Sequence, residues 1–254
     1  MNYFEHSSVA ERYIRHRPYF HPLVIEKIEA YLNLRKPVDF ALDVGCGPGQ
    51  STVALKKIAE FVIGADLSAG MLAVASKSTG IQYIQSPAEE LPIRNHSTDL
   101  MTTFLASHWF DQERFFAEAR RVLKEKAWLV ISNNGFTGRM AENPKFEQWI
   151  TQVYDRRYPS PPRNSTPMTP GFAHRHGFHF ARDEEYQNEV RFNVEELAAY
   201  LVTQSNVIAA LEKGNEKSID DVYRWLAAES GPLFKTERPA FLFSGYIWYL
   251  QNTS

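Results

Sequence analysis

Cysteine is nearly absent from this sequence of 254 residues: Cys46 stands alone, which excludes an intramolecular disulfide framework. No apolar run approaches the roughly 20 residues needed to span a bilayer. The opening residues Met1-Asn2-Tyr3-Phe4-Glu5-His6 lack the basic and apolar parts of a signal peptide. A soluble, cytoplasmic protein is therefore expected. Excess charge is missing too: 28 lysines and arginines against 30 acids give a formal charge of −2, and no basic run stands out. That leaves no general attraction for nucleic acid or an anionic membrane, so partners have to be read from a site. Internal repeats and low-complexity tracts are also absent. With 44% hydrophobic residues the chain can bury a full core, and it is read as a single domain over 1–254.

What the chain does have is a concentration of glycine. Ala41-Leu42-Asp43-Val44-Gly45-Cys46-Gly47-Pro48-Gly49-Gln50-Ser51-Thr52 reads as an apolar strand, a Gly-x-Gly-x-Gly turn and the start of a helix. Residues without a Cβ let the loop take positive φ and let a ligand lie against bare backbone. Three glycines so close together weaken folding unless they are used, which disfavours a turn without a ligand. A dinucleotide fingerprint would read Gly-x-Gly-x-x-Gly, and here the third glycine, Gly49, comes one residue early. A second short strand, Phe61-Val62-Ile63-Gly64-Ala65-Asp66, ends in an acid. A carboxylate at such a strand tip can accept hydrogen bonds from both hydroxyls of a ribose.

The Asp43-to-Gly49 pattern resembles the first motif of class I S-adenosylmethionine (SAM) dependent methyltransferases. Other segments narrow the resemblance to the trans-aconitate methyltransferase-like branch. They are Tyr13-Ile14-Arg15-His16-Arg17-Pro18-Tyr19, Asp66-Leu67-Ser68-Ala69-Gly70-Met71-Leu72, His108-Trp109-Phe110-Asp111 and, more weakly, Phe192 to Ser205. The chain departs from the branch at Pro87, where an acid is common, at Lys124-Glu125-Lys126-Ala127, where Lys-Pro-Gly-Gly is usual, and at Gln204, which replaces Trp. Strands alternate with helices from 38 to 133, which implies a parallel sheet with ligands outside the carboxyl ends of its strands. The implied fold is α/β: a Rossmann-like seven-stranded, mostly parallel sheet. A helical cap insertion over 135–182 is expected to cover the acceptor site.

For the cofactor, SAM, the resemblance implies contacts from Arg17 to its carboxylate and from Asp43, Gly45, Cys46 and Gly47 in the loop. Asp66 and Leu67 would meet the ribose and its surroundings. With Pro87 unable to donate, adenine would fall to Ala88 and Glu89, and Ala106 would complete the set. Tyr19, Trp109 and Arg139 are the candidate acceptor contacts. His108 stands where it can position the acceptor or act as a base. The arginines at 139, 156, 157, 163, 175 and 182 offer guanidinium groups suited to an anionic substrate, and the resemblance implies a small carboxylate-bearing acceptor. A hydroxyl, amine or carbon acceptor is the alternative, with a nicotinamide oxidoreductase or a non-catalytic SAM-binding module behind it. His174-Arg175-His176-Gly177-Phe178-His179 lacks nearby acidic or cysteine ligands, so no metal is expected.

Overall fold

A computed structural model describes residues 7–76, 78–162 and 168–253. The opening hexapeptide and Arg163 lie outside the described residues. Seven strands form one sheet: β1 Val38–Val44, β2 Ala59–Asp66, β3 Ile81–Gln85, β4 Thr98–Phe104, β5 Leu123–Met140, β6 Phe178–Arg191 and β7 Ala240–Asn252. Their order is β3-β2-β1-β4-β5-β7-β6. The pairs from β3 through β5 are parallel, and β7 runs antiparallel between β5 and β6. This is the expected seven-stranded, mostly parallel sheet, and the carboxyl ends of β1, β2, β4 and β5 come side by side.

The helices are α1 Ser7–His16, α2 His21–Tyr31, α3 Gln50–Leu55, α4 Ala69–Ala73, α5 Gln112–Val122, α6 Lys145–Trp149, α7 Asp155–Arg157, α8 Pro170–Arg175, α9 Val194–Leu201, α10 Ser205–Glu212 and α11 Ile219–Ser230. A π turn, Ile150–Tyr154, joins α6 to α7. Local chemistry sets several of the boundaries. Ser68 caps α4 by accepting from the Met71 amide, Asp111 caps α5, and Asn193 with Glu196 forms a capping box on α9.

Two differences from the sequence reading bear on the site. The fifth strand continues past Ser132 to Met140 because β7 pairs with it as far as Met140–Phe241. A register shift between Phe136 and Arg139, with Gly138 at φ 75°, bends the strand there. The segment 145–158, expected as a cap, instead buries Phe146, Trp149, Tyr154 and Tyr158 in a core shared with Leu197 and Leu226 of α9 and α11. Its aromatic residues are used for packing, and a helix with so much apolar surface is stabilised most where it loses contact with water.

Candidate active site

The glycine loop follows from close approach as well as from backbone angles. Gly45, Gly47 and Gly49 have φ of 70°, 54° and 81°, a region costly for residues with a Cβ. A Cβ on Gly45 would stand 2.4 Å from the Ala106 Cβ, and one on Gly49 would stand 2.3 Å from the Tyr83 hydroxyl. At Gly47 the same atom would meet nothing within 4 Å. Two glycines thus let neighbouring segments close on the loop, and the middle one faces open space. The loop is held to β2 by the Gly45 and Cys46 amides, which both donate to the Ala65 carbonyl, at 2.8 and 3.1 Å.

Asp66, at the tip of β2, accepts from the Gly47 amide at 2.7 Å through Oδ2 and from the Ser68 amide at 2.8 Å through Oδ1. Each carboxylate oxygen retains a second lone pair for a ligand. Burial raises the Asp66 pKa, opposed by these two amides.

Around this tip lies a cavity of about 500 Å3. In the order of the strands it runs from Asp66 and Leu67 after β2, over Gly45 and Gly47 after β1, to Ala106, His108 and Trp109 after β4, and on to Asn133, Asn134 and Phe136 of β5. Ala88 and Glu89 line its wall together with Pro87. Glu89 is anchored as the acceptor of the Asp111 amide at 2.8 Å. Leu67 is 58% exposed, an apolar side chain at the rim.

The turn after β4 begins at Leu105, a non-glycine residue at φ 58° whose amide donates to the Ser132 carbonyl. Strain of this kind persists where surrounding structure fixes it, and here it directs the Ser107–Trp109 turn into the cavity. The His108 and Trp109 rings lie 4.7 Å apart.

Arg17, just past the end of α1, lines the cavity. Its Nη2 donates to the Thr203 carbonyl at 2.8 Å, and its Cζ lies 4.7 Å from the Tyr13 ring and 5.5 Å from the Tyr200 ring. Its Nε is buried without a hydrogen-bond partner.

Four sequence candidates lie outside the cavity lining. Asp43 does not line the cavity; it is fully buried and accepts from the hydroxyls of Ser51, Thr52 and Thr102 at 2.6, 2.7 and 3.1 Å. It therefore braces the start of α3, and burial pushes its carboxyl up to about 6 against those hydroxyls. Cys46 also lies behind the loop, its thiol pushed up by the same burial. Tyr19 is half exposed and its ring sits against His21. Arg139 lies beyond the bend in β5, paired with Glu147 at 3.7 Å.

The segment expected as a cap contributes little to the lining. From 135–182 only Gly135 and Phe136 line the cavity among the described residues, and the closing side chains come from α1 and from Tyr200, Gln204 and Ser205. Sequence reasoning missed Asn133, Asn134 and Tyr200. An Asn-Asn-Gly run at the carboxyl end of a parallel strand was the available signal for the first two; Tyr200 had none beyond its place in the Phe192 to Ser205 resemblance.

The fold is the Rossmann-like one found in methyltransferases of known structure, here with an open glycine loop beside an acid-tipped strand. More particularly, residues 42–131 match the family model described as a methyltransferase domain. A provisionally named methyltransferase of Dictyostelium discoideum is 34% identical over 128 residues, 50% of this chain and 48% of that one. A Saccharomyces cerevisiae protein named as a probable S-adenosylmethionine-dependent methyltransferase is 32% identical over 121 residues, 43% of this chain and 40% of that one. The chain thus spans about half the length, or less, of these curated relatives. Among solved structures, a provisionally named type II methyltransferase of Anaeromyxobacter dehalogenans superposes with a TM-score of 0.65 at 24% identity, covering 88% of this chain and 94% of that one. Among the described residues no helix is long and apolar enough to cross a membrane.

Proposed function

We propose that the chain is a SAM-dependent methyltransferase acting on a small-molecule acceptor. The observation that carries this reading is the pairing of Gly47, whose Cβ position is open, with Asp66, whose two oxygens are oriented by backbone amides beside it. The residues present fit the nucleoside. Asp66 would take the ribose hydroxyls, Leu67 and the Ala88–Glu89 wall would cover the base, and the unpartnered Nε of Arg17 would meet the amino-acid carboxylate. Similarity of residues 42–131 to a methyltransferase domain supports the same reading, as does similarity to the yeast protein named as a probable S-adenosylmethionine-dependent methyltransferase.

When bound, SAM supplies a sulfonium methyl that is already activated toward nucleophiles. The protein's part is then orientation, worth roughly 7 to 11 kcal/mol at best. The Gly45–Gly49 loop and Asp66 fix the donor side, while the turn from Leu105 to Trp109 and the β5 residues Asn133 and Asn134 shape the acceptor side. An acceptor that arrives protonated needs a base, and His108 lines the cavity where it can serve. The carboxylate-bearing acceptor implied by the trans-aconitate branch would depend on Arg17, because Arg139 and Arg182 pair with Glu147 and Glu184 instead.

Calorimetric titration with S-adenosylhomocysteine (SAH) and with NAD tests the cofactor class. Binding of SAH with no binding of NAD is expected, and the reverse would overturn the reading. Mass analysis of a metabolite extract incubated with methyl-labelled SAM tests turnover. A product carrying one added methyl is expected, and binding without any such product would leave a non-catalytic SAM-binding module.

A further inference from the structure

Beside the cavity lies a second, much smaller recess of about 10 Å3, close to the least room a single water needs. Tyr13, Arg17, Leu105, Asn134 and Tyr200 line both spaces, whereas His21 and Gln50 line only the recess. Two polar atoms of these lining residues are buried without a hydrogen-bond partner: Arg17 Nε and His21 Nδ1. The role they are given toward the nucleoside rests on the methyltransferase reading.

The short link between α1 and α2 sets both side chains at the recess, and neighbours hold each of them in place. Arg17 is tied through Nη2 to the Thr203 carbonyl at 2.8 Å and lies against the rings of Tyr13 and Tyr200. His21, only 6% exposed, stacks on Phe20 with centroids 4.3 Å apart and meets Phe104 edge-on at 5.4 Å. Burial keeps this imidazole neutral, its pKa pushed down to about 3. A neutral imidazole has one nitrogen that accepts a hydrogen bond, while a guanidinium N–H can only donate. The two groups are therefore complementary, yet they do not bond to each other, and leaving both unsatisfied in the interior is costly. The amides of Gln50 and Asn134 line the same recess, so a water there has the two to four polar partners it needs.

We propose that the recess is a single-water site, and that His21 acts through this water as a positioning residue for the amino-acid end of the nucleoside. In the free protein Arg17 Nε–H donates to the water oxygen, and the water donates one O–H to His21 Nδ1. With the nucleoside bound, Arg17 Nε–H donates to its carboxylate. His21 keeps the water, whose second O–H then donates to the same carboxylate. A water-mediated contact of this kind is nearly as good as a direct one. His21 thus acts on the carboxylate and not on the ribose or adenine.

The test has two arms. A crystal structure of the ligand-free protein is expected to show one ordered water within hydrogen-bond distance of both Arg17 Nε and His21 Nδ1. A dry recess, or a direct bond between the two side chains, would overturn the water site. In the second arm SAH and 5′-methylthioadenosine, which has the same nucleoside without the amino-acid end, are titrated calorimetrically into wild type, His21→Phe and His21→Asn. His21→Phe keeps a ring and loses the acceptor, so SAH should bind about fivefold or more weaker, with 5′-methylthioadenosine changed less than about twofold. His21→Asn keeps a polar group that can hold the water and should stay within about threefold of wild type for SAH. Equal weakening of both ligands by His21→Phe, unchanged SAH affinity, or an Asn variant as weak as the Phe one would overturn the positioning role. Should His21→Phe not fold, His21→Leu gives the same comparison. If wild type binds neither ligand, the methyltransferase reading is what fails, and the ligand-free crystal structure still decides the water site.

Discussion

Replacing Asp66 with alanine separates what this carboxylate does for the loop from what it does for a ligand. In the free protein it accepts the Gly47 and Ser68 amides at 2.7 and 2.8 Å, so Asp66→Ala leaves two backbone donors to find water. Charge-assisted hydrogen bonds of this kind contribute about 1.5 to 3 kcal/mol, and the opposing desolvation of a largely buried carboxylate returns part of that. A net loss of about 1 to 2 kcal/mol in stability is expected. With ligand present, the ribose hydroxyls lose their acceptor as well. Affinity for SAH should then fall by about 1.5 to 3 kcal/mol, roughly 10- to 150-fold. Denaturant melts without ligand give the first quantity, and calorimetry at a temperature where both proteins are folded gives the second. Unchanged SAH affinity in the variant would refute the role of Asp66, whatever happened to its stability.

Three further expectations follow from other residues. Gly45→Ala puts a methyl 2.4 Å from the Ala106 Cβ at φ 70°, so SAH binding should be abolished or reduced by more than about tenfold; calorimetry retaining wild-type affinity would contradict the close packing of loop and β4 turn. Arg17→Met keeps the contact with Tyr13 and Tyr200 but removes the cation, and SAH affinity should fall by about tenfold or more, with weakening under threefold in the same titration counting against Arg17 as the carboxylate partner. Asp43 has its folded pKa raised from 3.8 to about 6, so its contribution favours folding below the unfolded value and is lost as pH rises through about 6. Asp43→Asn removes that titration. The stability of wild type relative to the variant should therefore be roughly 1 kcal/mol higher at pH 5 than at pH 7, and a pH-independent difference in denaturant melts would count against a raised Asp43.

The parts of the site legible in the sequence are those made locally. A strand, three glycines and a helix start occupy consecutive residues, and Asp66 ends the neighbouring strand, so spacing alone brought them together. Asp43 was legible as part of the motif, but a pattern does not say which way a side chain points; Ser51, Thr52 and Thr102 draw it inward. Arg139 failed for a related reason. Its chemistry suited an anion, but the length of β5 is set by its antiparallel partner β7, and the extended strand carries Arg139 past the cavity to Glu147. Tyr200 and Gln204 reach the cavity because Arg17 ties α1 to the α9–α10 turn at Thr203, a contact between residues 186 positions apart. Gly245 shows the same limit. It looks unremarkable in the sequence, yet a Cβ there would stand 2.1 Å from the Asn133 carbonyl oxygen, so it makes room for the wall that holds Asn133.

A sulfonium nucleoside is expected to rest on the glycine loop with its sugar on Asp66. A crystal structure of the protein soaked with SAH tests this most directly. Expected is continuous density over Gly47, with both ribose hydroxyls within hydrogen-bond distance of the Asp66 carboxylate and the amino-acid carboxylate at Arg17. Density confined to another part of the molecule, or a cavity left empty at saturating SAH, would contradict it.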